Sequence, residues 1–310
     1  MSGKGLLADM KYRLYTGFFE LCCLLSPTLN TQLHFLRTYR HFANLRKPGT
    51  FPEKLSWLKL YAYAEDPLVR RCADKLRVRG YVEEAGLGAL LIPLLGVYEK
   101  AEDIPWATLP DRFALKWNFG GGMNLLCRDK AALDIPQAVR TLRRWGRKRC
   151  WLLYSELQYR VEQKRILCEL FLDTPEGEEL LDYKFYCFHG HARAVLVIER
   201  PAEGETAAVL MSPDWEFLSE IPGRYSKSLR PARPACLEEM LRAAERLAEP
   251  FPFVRVDLYE HCGRVLFGEM TFTPATGIQP SECPIEGKSM GEWIHLEGLQ
   301  RRGINGNRQN

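Results

Sequence analysis

The amino-acid sequence predicts an α+β protein built from two or three lobes, with a helical extension at its N-terminus. Its 310 residues exceed one small module and suit two compact units, or three lobes around one site. Apolar residues recur at helical spacing early in the chain, whereas alternating, strand-like segments dominate later. Hydrophobic residues at 46% and charged residues at 26% are typical of a folded globular protein and exclude a disordered or collagen-like chain.

Net charge and cysteine usage limit the partners and the compartment. A net charge of +4 permits a local anion site but does not require nucleic acid, so we expect no nucleic-acid partner. The ten cysteines include no C-x-x-C pair, which favours reduced thiols in a cytoplasmic protein. No apolar run reaches the roughly 18 residues of a membrane span.

Residues 1–47 form the predicted helical extension. Apolar residues from Leu14 to Leu25 lie at helical spacing, and Ser26-Pro27 ends that pattern. A second helix is predicted over residues 31–45, which carry several basic side chains. One interpretation is a basic amphipathic element in peripheral contact with a membrane, at its inner face. The simpler interpretation is a helical pair packed on the body.

The remaining chain divides into three segments. A turn-rich junction, KPGTFP, opens an N-terminal domain over residues 48–109. The pattern then predicts a central lobe over residues 110–175 and a C-terminal lobe over residues 176–310. Helices are predicted over residues 53–63, 67–84, 135–144 and 237–248. Strands are predicted over residues 90–97 (buried), 112–117 and 165–172, as a pair within 180–200, and as a hairpin, 253–259 with 265–271.

The hairpin carries two acids that we expect to face each other. Alternation places Arg255 and Asp257 on one face, and a three-residue loop centred on Gly263 would set Asp257 opposite Glu269. Directly opposed carboxylates repel, so a sheet that accepts them usually has a cation between them. Two carboxylates plus phosphate oxygens form a ligand set that Mg²⁺ prefers. We favour this metal site over two ordinary acids on a solvated hairpin.

A run of three glycines, Gly120, Gly121 and Gly122, follows the predicted strand that carries Lys116. Consecutive glycines let backbone amides approach a phosphate, and a lysine adds a compact positive charge. The segment is not a Walker P-loop, because the only Gly-Lys-Ser, at 287–289, has Glu282 where that motif needs glycine. It is not G-x-G-x-x-G either, because position 125 is Leu. The alternative is a flexible hairpin tip with an exposed lysine.

Two charged residues lie inside otherwise apolar strands. Lys184, within LLDYKFYCF, either extends to water or neutralises a bound polyphosphate. Glu169, within RILCELFL, needs a partner because an acid in an apolar run is costly to bury. Lys75 opens a basic helix that would by itself be a solvated surface.

Taken in chain order, these segments resemble the ATP-grasp superfamily and, within it, the TupA-like branch of teichuronopeptide and capsular polysaccharide loci. The matching segments are KPGTFPEKLSWLKL, ADKLRVRGYV, LPDRFALKWNFGGGMN, LLDYKFY and FVRVDLYEHCGRVLFGEMTFTPATG, so the resemblance covers nearly all of the chain after residue 47. It implies an ATP-grasp fold, in which two α+β lobes clasp ATP, and the cofactors ATP and Mg²⁺.

The resemblance also implies roles for individual residues. The implied ATP-binding residues are Lys75, Lys116, Gly120, Gly121, Gly122, Glu169, Leu170 and Lys184, with metal ligands Asp257, Glu269 and Thr271 and a catalytic Arg255. Adenine would lie near the strand that contains Glu169 and Leu170. Thr271 stands where many such ligases carry Asn.

The implied activity is ATP-dependent ligation of a carboxylate to an amine through an acyl phosphate. The substrates would be a small-molecule or glycan carboxylate and an amine, and the product a modified cell-surface polysaccharide or its building block. Two alternatives differ in class. A glycosyltransferase is weakened by the lack of a D-x-D pair, and Thr271 leaves open a catalytically degenerate nucleotide-binding protein.

Overall fold

The computed structural model describes residues 3–174, 180–201, 205–221, 229–280 and 282–299. Its helices are α1 (Gly3–Leu25), α2 (Pro27–Tyr39), α3 (Phe51–Trp57), α4 (Pro67–Ala73), α5 (Val78–Glu84), α6 (Ile135–Gly146), α7 (Cys150–Leu153) and α8 (Leu237–Ala248). Its strands are β1 (Leu94–Tyr98), β2 (Phe113–Trp117), β3 (Asn124–Cys127), β4 (Ile166–Leu170), β5 (Asp182–Phe188), β6 (His191–Glu199), β7 (Ala207–Met211), β8 (Phe217–Glu220), β9 (Phe253–His261) and β10 (Arg264–Thr271).

These strands form two antiparallel sheets. The smaller sheet has the order β1-β4-β2-β3, and the larger has the order β10-β9-β5-β6-β7-β8. Strands β5 and β7 are buried along their whole length, and α8 packs against β5, β6 and β9. The smaller sheet buries a separate cluster around Phe113, Leu115 and Leu142. Helices combined with two sheets confirm the predicted α+β class.

The N-terminal helices differ from the prediction at their ends. Helix α2 begins at Pro27 and ends at Tyr39, so the predicted span of residues 31–45 is wrong at both ends. The Ser26 hydroxyl accepts the Leu29 amide and caps α2, and Arg40 ends it with a left-handed φ of 63°. Thus Ser26-Pro27, which predicted the end of one helix, also begins the next.

The single helix predicted over residues 67–84 is interrupted. Helix α4 ends at Ala73, and Asp74 adopts an extended backbone with φ −89° and ψ 116°. The Asp74 carboxylate accepts the amides of Leu76 and Arg77, which competes with helix continuation. The strand predicted over residues 90–97 is also wrong in part, because β1 begins at Leu94 and exposes alternate residues as an edge strand.

Most of the other predicted elements are present. Helix α3 begins at Phe51, directly after Thr50, whose side chain forms a capping box with Glu53, and a π-helical turn (Leu58–Ala62) extends it. The elements that the pattern did not predict are α7, β3, β7 and β8.

Candidate active site

A cavity of about 510 Å³ lies between the two sheets and carries an excess of positive charge. Its charged lining consists of six basic side chains (Lys75, Arg79, Lys116, Lys184, Arg200 and Arg255) and four carboxylates (Glu169, Asp182, Asp257 and Glu269). A formal excess of two positive charges in a partly enclosed cleft attracts a polyanion.

The β9–β10 hairpin places the two predicted metal ligands opposite each other. Glu269 pairs with Asp257, which confirms the predicted register, but the turn is not the predicted three-residue loop. Cys262 and Gly263 form a two-residue turn with φ values of 51° and 68°, and a β-bulge between Phe267 and Glu269 supplies the extra residue. A Cβ at Gly268 would lie 2.9 Å from the Asp257 carbonyl oxygen, so the bulge requires glycine.

Asp257 lies at the centre of a buried ionic network. Arg255 donates two hydrogen bonds of 2.7 Å to its carboxylate, and Lys184 Nζ lies 2.5 Å from Oδ2. Lys184 also lies 2.9 Å from Asp182, which accepts a hydrogen bond from Arg200. Burial would raise the pKa of Asp182, but Lys184 and Arg200 lower it below its ordinary value. The lysine predicted inside a strand therefore bridges two acids.

Glu269 faces the cavity beside three cations. Lys75 Nζ lies 3.1 Å from its carboxylate, and Arg255 Nη2 lies at 3.7 Å. Burial would raise the pKa of Glu269, but Lys75, Lys184 and Arg255 lower it to about 2. Glu269 is therefore ionised over the whole physiological pH range.

Asp257 and Glu269 fit a magnesium ion by the chemistry of their donors. Both present carboxylate oxygens to the cavity, and its cations could hold the phosphates that complete the shell. In the described part of the chain, no group of three or more His, Cys, Asp or Glu side chains is arranged to hold a metal, so these two acids depend on phosphate oxygens for the remaining ligands. The Thr271 hydroxyl accepts a 3.0 Å hydrogen bond from Arg255 and lines a neighbouring cavity instead.

The glycine loop is tied to the segment that carries Lys75. Asn118 donates a 2.9 Å hydrogen bond to the Asp74 carboxylate, and its carbonyl accepts the Lys75 amide. Lys75 Nζ donates to the Gly120 carbonyl at 2.7 Å. A Cβ at Gly120 would meet neighbouring side chains, whereas one at Gly121 would meet nothing within 4 Å. The loop is thus anchored at its first glycine and open beyond it.

Glu169 and Lys116 are partners across β4 and β2. Lys116 Nζ lies 2.7 Å from the Glu169 carboxylate, and Arg79 lies 3.6 Å from its other oxygen. An adjoining cavity of about 220 Å³ shares both residues. Its walls combine apolar residues, among them Ile92, Leu126, Leu170 and Phe171, with polar ones such as Arg128.

Three charged residues of this site were not predicted. Asp182 shares a strand face with Lys184, and this alternation was the available signal. Arg79 and Arg200 gave no local signal, because the groups they meet are far away in sequence. Arg79 reaches Glu169 from α5, and Arg200 follows β6.

Two sheets that face a cationic, glycine-lined cavity define the ATP-grasp class of proteins. Residues 53–293 match the family described as TupA-like ATPgrasp, and the chain belongs to that family. The family predicted from the sequence is therefore confirmed, together with the ATP-grasp fold. Proteins of this class use ATP with Mg²⁺, the cofactors that the sequence predicts.

Several solved structures resemble this chain at low identity. D-alanine–D-alanine ligase from Bacillus anthracis, complexed with ATP, is 14% identical with a TM-score of 0.42, and the match covers 66% of this chain and 56% of that one. An L-amino acid ligase from Bacillus licheniformis is 15% identical with a TM-score of 0.40, covering 69% and 44%. D-alanine–D-alanine ligase from Helicobacter pylori is 14% identical with a TM-score of 0.39, covering 74% and 64%.

The chain thus spans between 44% and 64% of the length of these ligases. No curated protein matches it.

Proposed function

We propose that this protein is an ATP-dependent carboxylate–amine ligase. The observation that carries the proposal is the convergence of paired acids, a cation cluster and a glycine loop on one cavity. A carboxylate attacks the γ-phosphate of ATP to form an acyl phosphate, and an amine then displaces phosphate to form an amide. Phosphoryl transfer needs mainly positioning and charge neutralisation, which these side chains offer.

The residue roles follow from position. Asp257 and Glu269 would hold Mg²⁺, together with Thr271, which lies at the end of the strand that carries Glu269. When bound, the ion supplies positive charge to the phosphate oxygens. Lys75, Lys116 and Lys184 face the same cavity and neutralise phosphate charge. The amides of residues 120–122 close over the phosphates and exclude water.

The adjoining cavity of about 220 Å³ suits the adenine base. The apolar residues in its walls offer a surface against which a ring can stack, and Leu170 is 43% exposed and available to cover it. Glu169 and Lys116 lie at the boundary with the cationic cavity, where the ribose and phosphates would begin.

Arg255 lies where the cationic cavity meets a third cavity, so it can serve the substrate as well as the nucleotide. Asp257 fixes its guanidinium through two hydrogen bonds. A guanidinium held in this way can steady a carboxylate and then the acyl phosphate. We propose a cell-surface polysaccharide or its building block as the substrate, on the basis of the family resemblance.

The test uses Glu269→Gln, which removes one metal ligand and keeps the side-chain volume. It is preferable to Asp257→Ala, because Asp257 holds two buried cations and its loss would destabilise the fold. We expect Glu269→Gln to abolish ADP release from Mg²⁺–ATP in the presence of amino acids and glucuronic acid. The control is Glu239→Gln, an exposed acid on α8. Wild-type ADP release by Glu269→Gln would refute the metal assignment.

We further propose that the N-terminal helices lie on an anionic membrane surface. On α1, Leu14, Phe18, Leu21 and Leu25 recur on one face and are between 54% and 74% exposed. Residues 1–47 contain seven Lys or Arg and two Asp or Glu, so their net charge of +5 exceeds that of the whole chain. An exposed apolar face flanked by positive charge is typical of interfacial helices. In the part of the chain that the structure describes, no helix meets the length and hydropathy needed to span a bilayer.

Vesicle sedimentation tests this surface. We expect binding to vesicles that contain phosphatidylglycerol, weaker binding to pure phosphatidylcholine, and loss of binding in Phe18→Ser/Leu21→Ser. Phe217→Ser, which alters an exposed phenylalanine on β8, is the control. A concentration-dependent dimer that the double variant abolishes would identify a second copy as the occupant and refute the membrane proposal.

A further inference from the structure

A third cavity, of about 270 Å³, opens beside the cationic cavity on the far side of Arg255 and Glu269. The two cavities share Lys75, Gly121, Arg255, Glu269 and Ala275, so a group bound in the third cavity reaches the phosphate end of the site. A molecule that reacts with an acyl phosphate must approach from a space of this kind.

The far wall of this third cavity carries one carboxylate, Glu156, which precedes a short 3₁₀ turn (Leu157–Tyr159). Glu156 is partly buried, and among the described residues no basic side chain lies within salt-bridge distance of it. The charges of the third cavity are therefore arranged along its length. Lys75, Arg255 and Glu269 lie at the phosphate end, with a net charge of +1, and Glu156, which has no salt bridge to any described residue, lies at the other.

A hydrogen-bond relay orients the Glu156 carboxyl group. Gln158 donates to the Thr273 hydroxyl at 2.9 Å, and that hydroxyl donates to Glu156 Oε1 at 2.6 Å. The direction of the relay requires Oε1 to act as an acceptor. Oε2 makes no hydrogen bond within the described part of the chain, so it can accept one from a ligand.

A buried lysine holds the two segments that form this wall. Lys59 is fully buried, and its Nζ donates to the Tyr154 carbonyl at 2.8 Å and to the Thr276 carbonyl at 3.2 Å. Ala275 and Thr276 adopt left-handed backbone conformations, with φ values of 48° and 63°. Such strained residues persist where their surroundings fix them. The Glu156 wall is thus preformed.

We propose that the third cavity is the amine subsite, and that Glu156 binds the substrate ammonium group and accepts its proton as nitrogen attacks. This inference rests on the proposed ligase function. A carboxylate substrate would be repelled by Glu156 and attracted by Arg255, whereas an ammonium group has the opposite preference. The ligand class is therefore a primary amine, such as an amino acid or an amino sugar.

As the C–N bond forms, the ammonium group loses two protons and one C–O bond breaks. One ammonium proton passes to Glu156, which frees the nitrogen lone pair to form the C–N bond with the acyl carbon. The bond between that carbon and the phosphate oxygen breaks, and phosphate leaves with the bonding electrons. The second nitrogen proton is released as the amide forms. Burial raises the pKa of Glu156, against smaller opposing effects of Thr273 and Lys59, and this makes its carboxylate a stronger base.

Hydroxylamine trapping separates this step from carboxylate activation. Hydroxylamine is uncharged near neutral pH and reacts with acyl phosphates without needing an ammonium site or a base. The carboxylate probes are the proteinogenic amino acids, D-alanine and glucuronic acid. The amine probes are the same amino acids and glucosamine. Hydroxamate is measured by its ferric complex, and amide by mass spectrometry.

We expect Glu156→Gln to form hydroxamate within about twofold of wild type and to lose amide formation by about 100-fold, the range of one general base. Glu156→Asp, which keeps the charge, should form amide at an intermediate rate. Glu239→Gln serves as the control for surface charge. If the glutamine variant unfolds, the same test applies to Glu156→Asp, with a raised KM for the amine alone as the expected result.

Three results would overturn the inference. Amide formation at the wild-type rate by Glu156→Gln excludes the proposed role. Parallel loss of hydroxamate and amide at an unchanged melting temperature would place Glu156 in carboxylate activation. Wild-type protein that yields neither hydroxamate nor ADP with any probe would overturn the ligase proposal itself, and the amine subsite with it.

Discussion

Lys184 links two acids of the cationic cavity, so its replacement by Met tests the ionic network directly. Its Nζ lies 2.5 Å from Asp257 Oδ2 and 2.9 Å from Asp182 Oδ2, which places these oxygens within about 5.4 Å of each other, the sum of those distances. The lysine side chain is 7% exposed. Methionine keeps much of the volume and removes the charge, leaving two buried carboxylates that face each other.

The substitution should lower both the free energy of unfolding and the affinity for nucleotide. Removal of one partner of a buried ion pair costs about 3–5 kcal/mol. Asp257 keeps Arg255 and Asp182 keeps Arg200, so we expect the lower end, a loss of about 3 kcal/mol in the free energy of unfolding. A charge-assisted hydrogen bond to phosphate contributes about 1.5–3 kcal/mol, so nucleotide affinity should fall by about 10- to 150-fold.

Urea unfolding measures the first effect, and calorimetry with Mg²⁺ and a non-hydrolysable ATP analogue measures the second. Lys47→Met, which changes an exposed lysine outside the cavity, is the control. An unchanged Kd for the analogue, alongside the expected loss of stability, would show that Lys184 supports the fold without touching the nucleotide. An unchanged free energy of unfolding would refute the expected cost of breaking this buried ion pair.

Three further predictions concern the same region. Gly268→Ala should lower the free energy of unfolding by about 1–3 kcal/mol in urea, because its Cβ would lie 2.9 Å from a carbonyl oxygen; Gly17→Ala, with open space around its Cβ, should cause no loss. The pKa of Glu269 is lowered from 4.5 to about 2, so its stabilising contribution is complete above pH 4.5 and is lost as the pH falls toward 2; the difference in unfolding free energy between wild type and Glu269→Gln should shrink over that interval. Burial lowers the pKa of Lys59 from 10.5 to about 8. Between pH 8 and pH 10.5 the unfolded chain therefore keeps a proton on Lys59 that the folded protein has lost. Wild-type stability relative to Lys59→Met should therefore rise by about 3 kcal/mol from pH 8 to pH 10.5, and a flat difference would contradict the shift.

Local periodicity predicted those parts of the fold whose burial repeats along the chain. Helix α8 matches its predicted bounds because its apolar residues recur every three or four positions. Strand β7 was missed because it is buried along its whole length and therefore lacks alternation. The single helix predicted over residues 67–84 failed at Asp74, where a side chain competes for the backbone amides.

The candidate site was predictable where its residues share one hairpin or one loop. Asp257 and Glu269 are twelve positions apart and their register could be counted. Glu156 was not found, because its partner Thr273 lies 117 positions away and neither residue belongs to a periodic segment. The pairing of Asp74 with Asn118, 44 positions apart, was hidden for the same reason.

The β-bulge at Gly268 decides which side chains β10 presents to the cationic cavity. If the same residues were paired through the two-residue turn without a bulge, Gly268 would lie opposite Asp257, and odd and even positions beyond it would exchange faces. Met270, now packed in the core, would face the cationic cavity, and Glu269 would turn toward the hydrophobic core. Deletion of Gly268 would remove the bulge and keep Glu269 opposite Asp257, whereas a regular ladder that includes Gly268 would carry this acid out of the cavity.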